Sequence, residues 1–236
     1  SQARVKGRTN AAKFLVYFQA YTTTYGRVKE LRAQFETALS FPDVVGLVVG
    51  TRPDCISDAL FELWNEYSKK TFLAVEYGVQ SFNEDTLLWM RRGHTAKRAI
   101  EAIWRTVKET DVNLGIHLIL GCPNETEEEI IRTAKICNEL PIHNVKLHNL
   151  HVLKNTPLAD EFHRGEFKPL GREEYAERVS LFLKHLKPEI YVHRLAALSS
   201  RHDELIAPLW TGKKMETYQS MLDYMNDNNL QQGASL

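Results

Sequence analysis

The chain has 236 residues, 43% hydrophobic and 25% charged, with 30 basic side chains against 30 acidic ones. That length supports one large domain with its own core, and a net charge of zero gives no bulk attraction to nucleic acid or membrane. No apolar run approaches the ~20 residues that span a bilayer. The polar, basic start SQARVKGRTN lacks the apolar core of a signal peptide, and its first residue is not Met, which points to processing or a fragment. The three cysteines, Cys55, Cys122 and Cys137, have no zinc-knuckle or CxxC spacing. A low, odd count suits a reducing cytoplasm and not a disulfide framework.

Strand-like and helix-like patterns then alternate along the chain. KFLVYFQAY (13–21) is rich in aromatic and β-branched residues, and RVKELRAQFETAL (27–39) has apolar residues at helical spacing. VVGLVVG (44–50) reads as a buried strand and 56–70 as a helix capped by Ser57 or Asp58. FLAVEYGVQ (72–80) is the next strand, followed by a short helix over 84–90 and a longer one over 95–110. LGIHLILG (114–121), NVKLHNLHV (144–152) and IYVHRL (190–195) complete the strands, with helices over 127–140 and 172–186. This order predicts βαβ units and a parallel sheet, wound open or rolled into a barrel of five or so units. After Leu195 the alternation stops. A loop with a short turn, a helix over 213–229 and a frayed LQQGASL end read as a cap and not as a second domain.

Polar residues on these apolar strands are the functional signal. Alternate residues of a strand face opposite sides. Leu73, Val75, Tyr77 and Val79 should pack under helices, which leaves Glu76 and Gln80 on the other face. The same parity groups His117, Ile119 and Gly121, then Lys146 with His148, and Tyr17 with Gln19 and Tyr21. Parallel α/β proteins bind ligands at the C-terminal rim of the sheet, so these residues predict one lined pocket there. A buried ion pair between Glu76 and Lys146 is the bland alternative.

The turn HLILGCPNET carries little positive charge. Thr126 with Glu129 fits a capping box, and Glu127, Glu128 and Glu129 already satisfy the helix dipole. It is therefore a poor phosphate cradle. Gly121 and Pro123 leave the strand end short of side chains, so a flat ring could approach the backbone. No GxGxxG follows a strand and no GxxxxGK[ST] occurs, which argues against dinucleotides and nucleoside triphosphates. His148 and His151 are three apart in an extended segment and face opposite ways, so a hydrolase metal site lacks its HxH pair.

YFQAYTTTYG, VVGLVVGTRPDC, VEYGVQSFNEDTLLWMRRGHT, HLILGCPNET and VKLHNLHVLKNTPLA occur in that order, with HRLAALSSRHDELIAPLW after them. In order and spacing the chain resembles radical S-adenosylmethionine (radical SAM) proteins of the YhcC type, from about Phe14 to the C-terminal helix. These are related to the radical SAM domain of the Elongator catalytic subunit. The resemblance implies an α/β fold, a partial (βα) TIM-like barrel of the radical SAM type over 1–195, with a C-terminal helical extension over 196–236. It implies an enzyme that cleaves S-adenosylmethionine reductively at a [4Fe-4S] cluster to a 5′-deoxyadenosyl radical, on an unknown substrate.

The family holds its cluster through CxxxCxxC after its first strand. This sequence has no CxxxCxxC, and its first strand matches the family's second. The first βα unit is thus expected to be missing, the cluster is not expected on this chain, and the chain alone is expected to be inactive. Carried over motif by motif, S-adenosylmethionine would meet Gln19 and Tyr21, then Glu76, Gln80 and Ser81. On the adenine side it would meet Ile119 and Gly121 with His117, and the backbone near Leu150 and His151. Two other readings stay open: a cluster-free nucleotide- or RNA-binding module of this fold, and a metal-dependent barrel hydrolase. The Elongator relation admits RNA as substrate, with Arg91, Arg92, Lys97 and Arg98 as a basic edge. A solvated helix face is the plainer account of those four.

Overall fold

The computed structural model describes residues 12–19, 22–199 and 203–236. Eight strands and eight α-helices occur among them. The strands are β1 (Phe14–Phe18), β2 (Val44–Thr51), β3 (Phe72–Gln80), β4 (Asn113–Leu120), β5 (Asn144–Asn149), β6 (Val152–Leu153), β7 (Tyr191–Arg194) and β8 (Leu205–Ala207). The helices are α1 (Val28–Leu39), α2 (Asp58–Ser68), α3 (Glu84–Trp89), α4 (Ala96–Glu109), α5 (Glu127–Glu139), α6 (Pro157–His163), α7 (Arg172–Lys184) and α8 (Lys214–Asp227). One sheet has the order β1-β2-β3-β4-β5-β7, so β1 and β7 are its ends; β6 and β8 form a separate pair. The chain divides into two compact units, residues 1–78 with 97–115 and residues 79–96 with 116–236.

In the first unit β1, β2 and β3 pair in parallel, with Tyr17 beside Val48, Val48 beside Ala74 and Gly50 beside Glu76. One face meets helices. Phe18 lies 5.3 Å from Phe35 of α1, and Phe35 lies 5.1 Å from Tyr67 of α2. The α1 stripe Leu31, Phe35 and Ala38 is buried, as are Leu60, Leu63, Trp64 and Tyr67 of α2. Each such large side chain contributes about 1.5–3 kcal/mol on burial. Tyr77 is fully buried and shares a 2.8 Å hydrogen bond with the Thr106 hydroxyl of α4, so this strand face does pack under helix. Ser57 stands at the N-cap of α2 in extended conformation, but its hydroxyl makes no capping bond.

In the second unit the expected capping box is formed: Thr126 Oγ1 accepts from Glu129 N at 3.2 Å, and Glu129 Oε2 accepts from Thr126 N at 2.9 Å. Asn83 caps α3 through Thr86 N. β5 pairs in parallel with β7, with Lys146 beside Arg194.

Three local expectations are corrected here. The segment 144–152 is not one strand. β5 ends at Asn149, and Val152–Leu153 turn away to pair antiparallel with β8. Thr156 caps a helix that periodicity had not flagged, α6, with Pro157 in its first turn. The end is not frayed: Gln232 Nε2 donates to the carbonyls of Lys187 (2.7 Å) and Ile190 (2.8 Å), while Gly233 N and Ser235 N bond to Leu183 O and Lys184 O. Backbone N–H groups of Gly233 and Ser235 satisfy the last carbonyls of α7, and Gln232 satisfies two carbonyls of the loop beyond it, which low hydrophobicity alone does not reveal.

Candidate functional site

In the first unit the polar strand face carries one defined pair. The Tyr17 hydroxyl donates to Glu76 Oε2 at 2.7 Å, and Glu76 is only 3% exposed. Gln19 is exposed just past the end of β1 and lines a cavity of about 380 Å³ with Tyr17, Phe18, Thr23, Arg27 and Glu30. Tyr21 lies outside the described residues.

In the second unit Gln80 ends β3 with φ +70°, a left-handed backbone that costs a non-glycine residue about 1–3 kcal/mol. Ser81 Oγ accepts from Asn83 N at 3.0 Å, so its hydroxyl shapes the turn into α3. His117 and His148 stack with ring centroids 5.3 Å apart. The Arg194 guanidinium bonds to His148 Nε2. Burial, then the charge of Arg194, push the His148 imidazole down to about 2, so it is neutral and accepts from Arg194. Ile119 shares the half-exposed parity of His117 along β4.

Polar atoms accumulate unpaired where β5 ends. Asn149 is buried, and neither its amide oxygen nor its nitrogen has a partner among the described residues. His151, two residues on, is lowered chiefly by burial and has no partner for Nε2. Leu150, between them, is half-buried. Buried polar groups are normally satisfied, so these atoms stand out as unsatisfied donors and acceptors at the strand end.

At Gly121 the structure differs from expectation. Its φ of +86° requires glycine, but a Cβ would stand 2.8 Å from Leu170 Cδ1. On that side the chain's own leucine, brought by sequence-distant packing, fills the space expected to be open to a flat ring. The turn is also held by a carboxylate: Glu125 Oε2 accepts from Gly121 N at 2.8 Å, and Arg178 donates to the Glu125 carbonyl at 3.1 Å. Burial pushes the Glu125 carboxyl up to about 7.

Residues 3–137 match the Radical SAM superfamily and residues 142–227 the Radical_SAM C-terminal domain. The chain belongs to the radical SAM superfamily. It is 32% identical over 225 residues to protein YhcC of Escherichia coli (strain K12), covering 95% of this chain and 72% of that one. It is 30% identical over 148 residues to a tRNA uridine(34) acetyltransferase of Methanocaldococcus infernus, covering 61% of this chain and 27% of that one. Among solved structures it superposes on the archaeal Methanocaldococcus infernus Elp3 with an N-terminal deletion at TM-score 0.79 and 20% identity, over 98% of this chain and 58% of that one. That likeness shows the fold: α/β, a partial TIM-like barrel of the radical SAM type.

A radical SAM protein implies a [4Fe-4S] cluster, and the residues present do not fit one. Three clustered thiolates are needed. Cys55 follows β2, Cys122 follows β4 and Cys137 is inside α5. Burial pushes the Cys122 and Cys137 thiols upward, away from thiolate. Among the described residues no three His, Cys, Asp or Glu are grouped for a metal ion. For S-adenosylmethionine, which the family binds, the structural observation that bears on a fit is the set of buried atoms of Asn149 and His151 without a partner among the described residues. Strand parity had flagged Tyr17, Glu76, His117 and His148. It missed Arg194, whose signal was the register of IYVHRL, and Glu125, which looked like one more helix-start acid.

Proposed function

We propose that this chain is the S-adenosylmethionine-binding core of a radical SAM enzyme. The observation that carries the reading is the set of unpaired buried atoms at Asn149 and His151, on the strand end where the family meets adenine. Gln19, Tyr21, Glu76, Gln80 and Ser81 would bind the ribose and methionine side. His117, Ile119, Leu150 and His151 would bind the adenine side, with Gly121 meeting it only through backbone away from Leu170, its N–H being held by Glu125. In an intact family protein S-adenosylmethionine supplies a 5′-deoxyadenosyl radical. Here the neutral His148 would hold the Arg194 guanidinium in place, and Glu125 would fix the turn beneath the adenine. The cluster's thiolates would come from the CxxxCxxC that follows the family's first strand, a motif absent from these 236 residues, and the chain by itself would be inactive. A cytoplasmic setting suits its low, odd cysteine count.

The test is anaerobic reconstitution of this chain beside a version extended upstream through CxxxCxxC. The short chain should bind S-adenosylmethionine but no iron. The long one should bind about four irons and release 5′-deoxyadenosine. A brown, iron-loaded short chain would overturn the reading. A second reading, a cluster-free nucleotide- or RNA-binding module, is favoured by the scattered cysteines and by the similarity to a tRNA-modifying enzyme. An extended chain that stays iron-free would favour it.

A further inference from the structure

We propose that Tyr17 is a positioning residue for the ligand's ribose, acting by fixing the Glu76 carboxylate across an opening left by Gly50. This rests on the S-adenosylmethionine reading above and goes beyond it by adding a residue pair. Tyr17 is on β1 and Glu76 on β3, with β2 between them. Two strand spacings separate β1 from β3, about 9.5 Å, too far for a strand-to-strand contact between short side chains.

The register shows how the gap is closed. Tyr17 is level with Val48 and Ala74, while Glu76 is level with Gly50, two residues further along. The phenol therefore leans toward the C-terminal strand ends and crosses β2 at Gly50. A Cβ on Gly50 would stand 3.4 Å from the Tyr17 hydroxyl and 3.5 Å from its ring. A branched side chain there would occupy the path of the phenol. The Cβ alone sits at ordinary contact distance, so alanine would be accommodated at 50, and it is the further atoms of a branched side chain that would meet the phenol.

The consequence is directional. A buried carboxylate rotates about its last torsion unless its oxygens are held. With Oε2 committed to the phenol at 2.7 Å, the plane of the Glu76 carboxylate is set. A preset acceptor gains affinity for vicinal hydroxyls, because less freedom is lost on binding. Tyr17 touches no ligand in this account, so it is not catalytic.

The experiment measures dissociation constants by calorimetry for 5′-methylthioadenosine and its 2′,3′-dideoxy analogue. Neither needs iron. Wild type, Tyr17→Phe and Gly50→Val are compared, with melting curves to verify folding. Both variants separate phenol from carboxylate by different means, so either one decides. Loss of positioning should weaken 5′-methylthioadenosine about fivefold, less than losing a direct bond to a charged group, and leave the dideoxy analogue unchanged. Equal weakening of both ligands, or of neither, overturns the proposal alone, since Tyr17 would then be only a tether for β1. A wild-type chain that binds neither ligand overturns the S-adenosylmethionine reading and this inference with it.

Discussion

Glu125 Oε2 accepts the backbone N–H of Gly121 at 2.8 Å, which ties the turn after β4 to its own carboxylate. The bond favours the charged carboxylate, as does Arg178, yet burial outweighs both and Glu129 adds to it, so the carboxyl is raised to about 7. The nearby Cys122 and Tyr175 are held neutral by burial. A raised carboxyl binds protons more tightly folded than unfolded. Its contribution is complete below pH 4.5 and is lost as pH rises toward 7, about 3 kcal/mol in all. Glu125→Gln keeps an acceptor for Gly121 and removes the titration. Its melting temperature should overtake wild type as pH rises from 5 to 8, and parallel curves for the two proteins would refute this.

His148 gives the opposite slope. Its imidazole, lowered to about 2 by burial and then by Arg194, His117, His151 and Lys146, stays neutral in the folded chain. The unfolded chain takes up a proton near pH 6.5, so stability falls as pH drops below 6.5, by up to about 1.4 kcal/mol per pH unit. His148→Gln keeps an acceptor for Arg194 and should flatten that acid limb. Between pH 4.5 and 6.5 the Glu125 and His148 variants should therefore change the pH slope in opposite senses. Chemical denaturation at half-unit pH steps separates them.

Gly121 is constrained twice, by φ +86° and by Leu170 2.8 Å from a Cβ. Gly121→Ala should cost about 2–4 kcal/mol. Adding Leu170→Ala should return the steric part and leave the backbone part, about 1 kcal/mol or more. A double-mutant cycle with no coupling would show that Leu170 does not bear on the turn.

How much of this could be read from sequence depends on the range of the interaction. The alternation of VEYGVQ put Tyr77 under helix and Glu76 on the other face, because parity is local. The Thr126–Glu129 box was legible for the same reason. The Tyr17–Glu76 bond needed the register of three strands, which no single strand contains. Leu170 over Gly121 and Gln232 on Lys187 join residues over 40 positions apart, so neither left a local mark. The β6–β8 pair escaped because a two-residue strand has no measurable period, and its partner lies in a stretch read as loop.

The cysteines supply the last test. Cys122 is 6% exposed and Cys137 is fully buried, while Cys55 is partly exposed beside Asp54. Only thiolate reacts with a disulfide reagent, and burial raises both inner thiols. Native protein at pH 8 should therefore release one equivalent of thionitrobenzoate quickly, and denatured protein three. Cys55→Ser should abolish the fast equivalent and leave the other two. Buried, protonated thiols are poor iron ligands, so the fast-reacting count is the number of thiols that the folded chain readily offers a cluster. One ligand cannot hold three irons. Fast release of three equivalents from folded protein would contradict the burial of Cys122 and Cys137 and reopen a cluster on this chain.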